Sequence, residues 1–114
     1  MRIHTAGATA IAALIALHTP ARAQDVPTFR LTLKDHIFEP AELRVPANTR
    51  FVLVIKNDDA TPAEFESKGL GAEKIISAGR EATIRVSPLA AGRYPFEDEF
   101  NRTAQGVLIA VEKE

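Results

Sequence analysis

The sequence predicts an all-β domain, a sandwich or barrel of about seven strands. Apolar and polar residues alternate in stretches such as TFRLTLK, where every second side chain would face a core. Turn-forming residues recur roughly every 8–12 positions, a spacing typical of sandwiches and barrels. The apolar run FVLVI is typical of a central strand that is covered on both faces. A helical turn is expected only near Pro88–Ala91.

The predicted strands follow one another along the chain with short turns between most of them. They are TFRLTLK (28–34), AELRV (41–45), RFVLVIK (50–56), EKIISAG (73–79), EATIRVS (81–87), GRYPFE (92–97) and GVLIAVEKE (106–114). The turns lie at PANT and at Ala78–Gly79. Residues Asp58–Lys74 form the longest stretch without a clear pattern, and long loops in compact domains are usually functional or mobile.

The first 23 residues are predicted to be a secretory signal peptide. A polar start with Arg2 precedes the apolar run AGATAIAALIAL, which is shorter than the ~20 residues that span a bilayer. The ARA at residues 21–23 fits an A-x-A cleavage motif. Cleavage after Ala23 would leave residues 24–114 as one small domain secreted to the periplasm, soluble or peripheral rather than membrane-spanning.

Composition excludes several classes of function. Cleavage removes Arg2 and Arg22 but no acidic residue, so the formal charge would fall from −1 to −3, which does not favour nucleic-acid binding. The chain has no cysteine, its one methionine is Met1, and His36 alone of three histidines survives cleavage. A type 1 copper site, which needs a thiolate and two imidazoles, is therefore excluded.

Three longer stretches resemble a known family. FEPAELRVPANTRFVLVIKND resembles the first half of small cupredoxins, and DATPAEFESKGLGAEKII with PLAAGRYPFEDEFNRTAQGVLIAVE resembles EfeO-type cupredoxin-like domains. These are secreted proteins often associated with bacterial iron uptake. The resemblance covers Thr28–Glu112 and implies a Greek-key sandwich. It also implies that the first strand and the strand at residues 50–56 run parallel as neighbours.

The resemblance further implies that three segments meet at one pole of the sandwich. They are Asp35–His36, Asp58–Glu66 and Glu97–Asn101. In cupredoxins this pole holds copper. The loop after the third strand, which carries the first histidine ligand in cupredoxins, has Ala63 and Glu64 here. The final loop has Asp98 near the cysteine position and Asn101 near the second histidine. Asn101 leaves one likely ligand fewer than related sequences, which frequently have histidine there.

The remaining ligands at this pole are rich in oxygen. Glu64 and Glu66 are two residues apart and share a face in an extended segment, whereas Asp98 and Glu99 are adjacent and point to opposite faces. Carboxylates with one imidazole suit iron or Cu(II) better than Cu(I). The candidate metal ligands are Glu64, Glu66, Asp98, Glu99, His36 and Asn101.

Each of these residues also has a structural interpretation that does not involve a metal. The acidic run Glu97–Glu99 is also typical of a solvated hairpin, and Asn101 of a turn. Glu64 and Glu66 could cap backbone amides or pair with nearby bases, namely Lys68, Lys74 and Arg102. His36 is also typical of a solvated or hydrogen-bonded loop residue. No nucleophile has a base partner in sequence context, so an enzyme is not expected.

Two functional hypotheses follow. The first is a periplasmic metal-binding accessory protein for iron or copper, which hands its cation to a membrane iron permease or another transport component. The second is an interaction module without a metal, whose acidic loops steer a basic patch of a partner. The sequence favours the first through the family resemblance and the clustered acids.

Overall fold

The chain forms two packed β-sheets. The computed structural model describes residues 25–113, together with Gly7 and Ala12. The nine strands of this part are β1 (Thr28–Lys34), β2 (Ile37–Glu39), β3 (Glu42–Pro46), β4 (Phe51–Asn57), β5 (Ala63–Ser67), β6 (Ala72–Ile76), β7 (Glu81–Val86), β8 (Gly92–Asp98) and β9 (Asn101–Val111). One sheet has the order β2-β1-β4-β7 and the other the order β3-β9-β8-β5-β6.

The all-β prediction is confirmed, and the strand count rises from about seven to nine. The two additional strands are β2 and β5. β2 is only three residues long, which is too short for a periodic signal. β5 lies within the segment predicted to be irregular. Its inward residues are Ala63, Phe65 and Ser67, so only one of them is large and apolar.

The pairing of β1 with β4 agrees with the predicted topology. The two strands run parallel, from Thr28 opposite Val52 to Leu33 opposite Asn57. Beyond their ends, the backbone N–H of Asp58 donates to the carbonyl of Leu33 at 2.8 Å. Parallel neighbours require a crossover connection, and β2 and β3 lie within it.

The core lies between the two sheets and is aromatic near β5 and β8. Phe38, Phe65 and Phe96 are each at most 2% exposed. Their ring centroids are 5.0–6.3 Å apart, and Phe38 meets the other two rings edge-on, a favourable aromatic geometry. The inward face of β5 and β8 therefore carries a packed layer of aromatic rings, and the alternate residues of these strands point outward.

The helical turn expected near Pro88–Ala91 is wrong. This segment is irregular, and two of its backbone carbonyls accept hydrogen bonds from residues outside it. The carbonyl of Leu89 accepts the N–H of Asn48 at 2.7 Å, and the carbonyl of Ala90 accepts the Tyr94 hydroxyl at 2.7 Å. Within residues 25–113 no helix is long and apolar enough to cross a bilayer. The predicted signal peptide lies outside the described residues, apart from Gly7 and Ala12.

Candidate metal centre

The outer face of the five-stranded sheet gathers five glutamates. Alternation along β5 buries Ala63 and Phe65 and turns Glu64 and Glu66 outward. The same alternation along β8 buries Phe96 and turns Glu97 outward. Glu99 follows at the tip of the β8–β9 hairpin, and its N–H donates to the carbonyl of Glu64 at 2.8 Å.

Strand register brings these side chains into rows. Glu66 of β5 lies directly opposite Glu73 of β6 on one side and Glu97 of β8 on the other. Directly opposed side chains on one face of a sheet have Cβ atoms about 4.5–5.5 Å apart, so these three glutamates stand in a row across three strands. Glu64 and Glu99 lie beside this row, towards the hairpin tip.

The carboxylates form two groups that could hold a cation. One consists of Glu64, Glu73 and Glu99, and the other of Glu66, Glu97 and Glu99. Within each group one oxygen from every residue lies within 4.8 Å of the others. Glu99 belongs to both groups and could bridge them. Four of the five side chains are half-buried, and Glu73 is exposed.

Neighbouring side chains do not neutralise this negative charge. Among residues 25–113, no lysine, arginine or histidine nitrogen lies within 4.0 Å of these carboxylates, although four other ion pairs form elsewhere. Glu66 Oε2 is buried without a hydrogen-bond partner. A buried oxygen of this kind is costly unless a cation or water meets it.

Crowding changes the protonation of Glu64. Hydrogen bonding with the Glu73 carboxyl raises the pKa of Glu64 to about 7, with further contributions from desolvation and from Glu99. Like charges this close disfavour simultaneous ionisation. The raised pKa means that the Glu64 carboxyl gives up its proton less readily than an isolated glutamate, and a cation bound there would compete with that proton.

Asp98 lies on the opposite side of the sheet from the glutamates. Its side chain is 2% exposed, and its Oδ1 accepts the backbone N–H groups of Glu64 at 2.9 Å and Phe100 at 3.0 Å. The predicted opposite orientation of Asp98 and Glu99 agrees with this arrangement. Asp98 does not belong to either carboxylate group.

His36 occupies a tight turn and pairs with Asp59. Asp35 and His36 both have positive φ and form the two-residue loop between β1 and β2. The Asp59 carboxylate accepts the N–H groups of Asp35 and His36, and its Oδ2 lies 3.5 Å from His36 Nδ1. His36 is in neither carboxylate group, so its predicted ligand role has no support from these contacts.

Asn101 begins β9 and has a local partner. Its side-chain oxygen accepts the Thr103 hydroxyl at 2.6 Å. Of the six predicted ligands, the structure thus brings together Glu64, Glu66 and Glu99. It places Asp98, His36 and Asn101 in hydrogen-bonding roles.

Glu73 and Glu97 belong to the two carboxylate groups but are not among the six ligands predicted from the sequence. The sequence places Glu97 at the pole, in the segment Glu97–Asn101, but does not name it as a ligand, although its spacing of two from Glu99 carries the same signal as that of Glu64 and Glu66. Glu73 stands in a strand that follows the unrecognised β5. Its proximity depends on the β5–β6 register, which requires β5 to be identified first.

A groove extends from the glutamates across the sheet. It has a volume of about 380 Å³ and includes Glu66 and Glu97 in its walls. Lys68, Pro95 and Gly106 also line it. Two candidate ligands are therefore reachable from solvent through this groove.

The chain belongs to the cupredoxin-like domain family, whose family model matches residues 7–110. A curated relative is the uncharacterized protein RP394 of Rickettsia prowazekii (strain Madrid E), 41% identical over 81 residues. The match covers 70% of this chain and 65% of the relative's length. The resemblance to the EfeO-type branch stays a prediction.

Solved structures share the fold at low sequence identity. The Cu(I)-bound metal-binding domain of the Streptococcus pneumoniae D39 Cu(I)-exporting P-type ATPase CopA superposes with a TM-score of 0.63 at 21% identity, covering 79% of this chain and 90% of that one. The purple cupredoxin of Nitrosopumilus maritimus gives a TM-score of 0.57 at 15% identity, covering 76% and 100%. These values establish a common cupredoxin fold.

Proposed function

We propose that this protein is a metal-binding cupredoxin-like protein that holds a hard cation on the outer face of its five-stranded sheet. The observation that carries the proposal is the convergence of Glu66, Glu97 and Glu99, with Glu66 Oε2 buried and unpartnered. A cation supplies the missing partner of that oxygen and neutralises the clustered charge. Three monodentate carboxylates leave further coordination positions for water or an exchanging ligand.

Donor chemistry restricts the cation. Carboxylate oxygens favour hard ions, and Cu(II) and iron accept oxygen ligands, whereas Cu(I) prefers sulfur. The full sequence has no cysteine, so no thiolate site can form. Copper-binding structures with the same fold give weak support for copper, and the resemblance to EfeO-type proteins is the reason to test iron.

We propose a carrier role in the cell envelope rather than a catalytic one. The predicted signal peptide and the resemblance to EfeO-type proteins support a periplasmic accessory protein of a metal-uptake system. Such a protein would pass its cation to a membrane iron permease or another transport component. Glutamates that are partly open to solvent through the groove suit exchange of a cation better than permanent retention.

Calorimetric titration tests the metal proposal. Metal-free mature protein is titrated with Cu(II) and, separately, with Fe(III) supplied as the nitrilotriacetate complex. We expect binding tighter than millimolar and a loss of at least about tenfold in affinity for Glu66→Gln and for Glu99→Gln, because each removes a charged ligand. Glu42→Gln is the matched control, since Glu42 contacts Arg44 outside the cluster.

Equal affinity in Glu66→Gln, Glu99→Gln and Glu42→Gln would contradict the assigned site. Binding no tighter than millimolar for both metals would contradict the function itself. Metal analysis of protein purified from the periplasm then identifies the cation that the protein carries in the cell.

A second candidate function is supported by the surface beside the glutamates. Ile75, opposite Glu64, is 64% exposed, and Phe100, next to Glu99, is 55% exposed. Exposed apolar side chains next to uncompensated acids suit a partner with a basic and apolar patch. Retention of the same periplasmic partner before and after chelation, together with its loss from Phe100→Ser, would favour this function over metal carriage.

A further inference from the structure

We propose that Asp98 is a positioning residue that holds Glu64 and Glu99 together, and not a metal ligand. This inference rests on the proposed metal-binding function. It assigns a role to a buried carboxylate in the middle of the acidic run Glu97–Glu99.

Two hydrogen bonds join β5 to the tip of the β8–β9 hairpin, and a third lies within the tip itself. Asp98 Oδ1 accepts the N–H of Glu64 at 2.9 Å and the N–H of Phe100 at 3.0 Å. The N–H of Glu99 donates to the carbonyl of Glu64 at 2.8 Å. The segments that carry Glu64 and Glu99 are thereby tied to each other at their backbones, with Asp98 as the only side chain in the tie.

The side on which Asp98 lies separates it from the candidate cation. Asp98 lies directly opposite Phe65 of the neighbouring strand β5. Both side chains point into the core, and Asp98 is 2% exposed. Glu97 and Glu99 flank it on the outer face. A carboxylate oxygen has two lone pairs, and both of those on Oδ1 are matched by the two N–H groups. Asp98 therefore orders the backbone beneath the glutamates without facing the ion.

The tie matters because Glu99 belongs to both carboxylate groups. A register shift between Glu97 and Asp98 marks an irregularity of the hairpin at this point. Irregular strand positions of this kind redirect side chains, and they need local bonds to hold their geometry. If the Asp98 acceptor is lost, Glu99 can move away from Glu64, and both candidate groups open together.

The first measurement uses metal-free protein and is independent of cation binding. Amide hydrogen exchange is followed by NMR in wild type, Asp98→Ala and Asp98→Asn. In Asp98→Ala we expect exchange at Glu64 and Phe100 to accelerate at least about tenfold, because two partly buried hydrogen bonds lose their acceptor. Asp98→Asn keeps Oδ1, so exchange should rise less than about threefold. The amide of Val54, in β4, is the internal control.

The second measurement is Cu(II) affinity by calorimetry. A positioning role predicts at least about tenfold weaker binding in Asp98→Ala but less than about threefold weaker binding in Asp98→Asn, since the amide oxygen preserves the tie. Equal loss in both variants, with unchanged exchange at Glu64 and Phe100, would make Asp98 a ligand and overturn the inference. If Asp98→Ala does not fold, Asp98→Asn alone decides: retained copper affinity supports a positioning role, and lost affinity makes Asp98 a ligand.

The two measurements separate this inference from the function on which it rests. Wild-type protein that binds neither metal would refute the proposed function, while exchange at Glu64 and Phe100 would still test the tie. Unchanged exchange in Asp98→Ala would refute the tie even if wild type binds copper.

Discussion

Asp35 and His36 show how backbone conformation decides the role of single residues. With φ values of 51° and 59°, they form the kind of two-residue hairpin loop in which both positions require positive φ. A non-glycine residue there is strained by about 1–2 kcal/mol. The Asp59 carboxylate compensates by accepting both backbone N–H groups. The conformation and the bonds to Asp59 account for His36 without a metal.

His36→Gly tests that account. Glycine relieves that strain but loses more backbone entropy on folding, by roughly 0.5–1 kcal/mol. It also loses the His36–Asp59 contact, worth up to about 1 kcal/mol, so the free energy of unfolding should change by less than about 1.5 kcal/mol in either direction. Copper affinity should stay within about twofold of wild type, as the imidazole is outside both carboxylate groups. Chemical denaturation and calorimetry provide the two values. A tenfold loss of copper affinity would restore His36 as a ligand.

The raised pKa of Glu64 predicts how the stability of the folded protein depends on pH. Its folded-state pKa of about 7 lies above the ordinary 4.5, because Glu73, desolvation and Glu99 favour the protonated form. Between these values the folded chain binds more protons than the unfolded chain. The contribution of Glu64 to stability is therefore fully present below about pH 4.5 and is lost as the pH rises through about 7.

The melting temperature of metal-free protein, measured at intervals from pH 4.5 to pH 8, checks this sign. Glu64→Gln has no carboxyl to ionise, so its melting temperature should fall less over this range than that of wild type. Glu81→Gln, whose wild-type side chain pairs with Arg30, should keep the wild-type slope. Parallel curves for wild type and Glu64→Gln would refute the assignment.

At the level of strands, the sequence predicted what depends on local alternation and missed what depends on register. The apolar run of β4 and the alternation of β1 identified the two strands, and the family resemblance alone predicted that they pair in parallel, as they do. The shared face of Glu64 and Glu66 also follows from their spacing. Glu73 joins them only through the β5–β6 pairing, and no spacing in the sequence contains that information.

Close approach between β8 and β9 makes Gly106 a sensitive position. A Cβ at Gly106 would lie 2.4 Å from Phe96 Cζ and 2.9 Å from the carbonyl oxygen of Ala41. Phe96 is 2% exposed and packs on Phe38 and Phe65, so its ring has little room to move. A side chain at residue 106 would therefore displace the aromatic layer under Glu66 and Glu97.

Gly106→Ala should lower the free energy of unfolding by about 1–3 kcal/mol through overpacking. Gln105→Ala, in the exposed preceding position of β9, should change it by less than about 0.5 kcal/mol. Urea denaturation of both variants gives the comparison. An equal effect of the two substitutions would mean that the Phe96 ring can relax away from residue 106.

For the whole molecule, the proposed metal site predicts that cation binding at the outer acidic face is coupled to folding. The five carboxylates repel one another in the folded state and separate in the unfolded chain, so a cation that binds only the folded state stabilises it by mass action. At a free Cu(II) concentration 100 times the dissociation constant, the gain should be about 2.7 kcal/mol. That gain would appear as a higher melting temperature in a calorimetric scan.

Sodium chloride at matched ionic strength separates specific binding from screening. Salt screens exposed charges from one another, most completely beyond a Debye length of about 10 Å at 0.1 M, so sodium chloride should raise the melting temperatures of wild type and variants only slightly. Only Cu(II) should distinguish wild type from Glu66→Gln/Glu99→Gln, because the double substitution removes the shared carboxylate and the buried oxygen. If Cu(II) stabilises both proteins equally, the acidic face acts as diffuse charge and holds no metal centre.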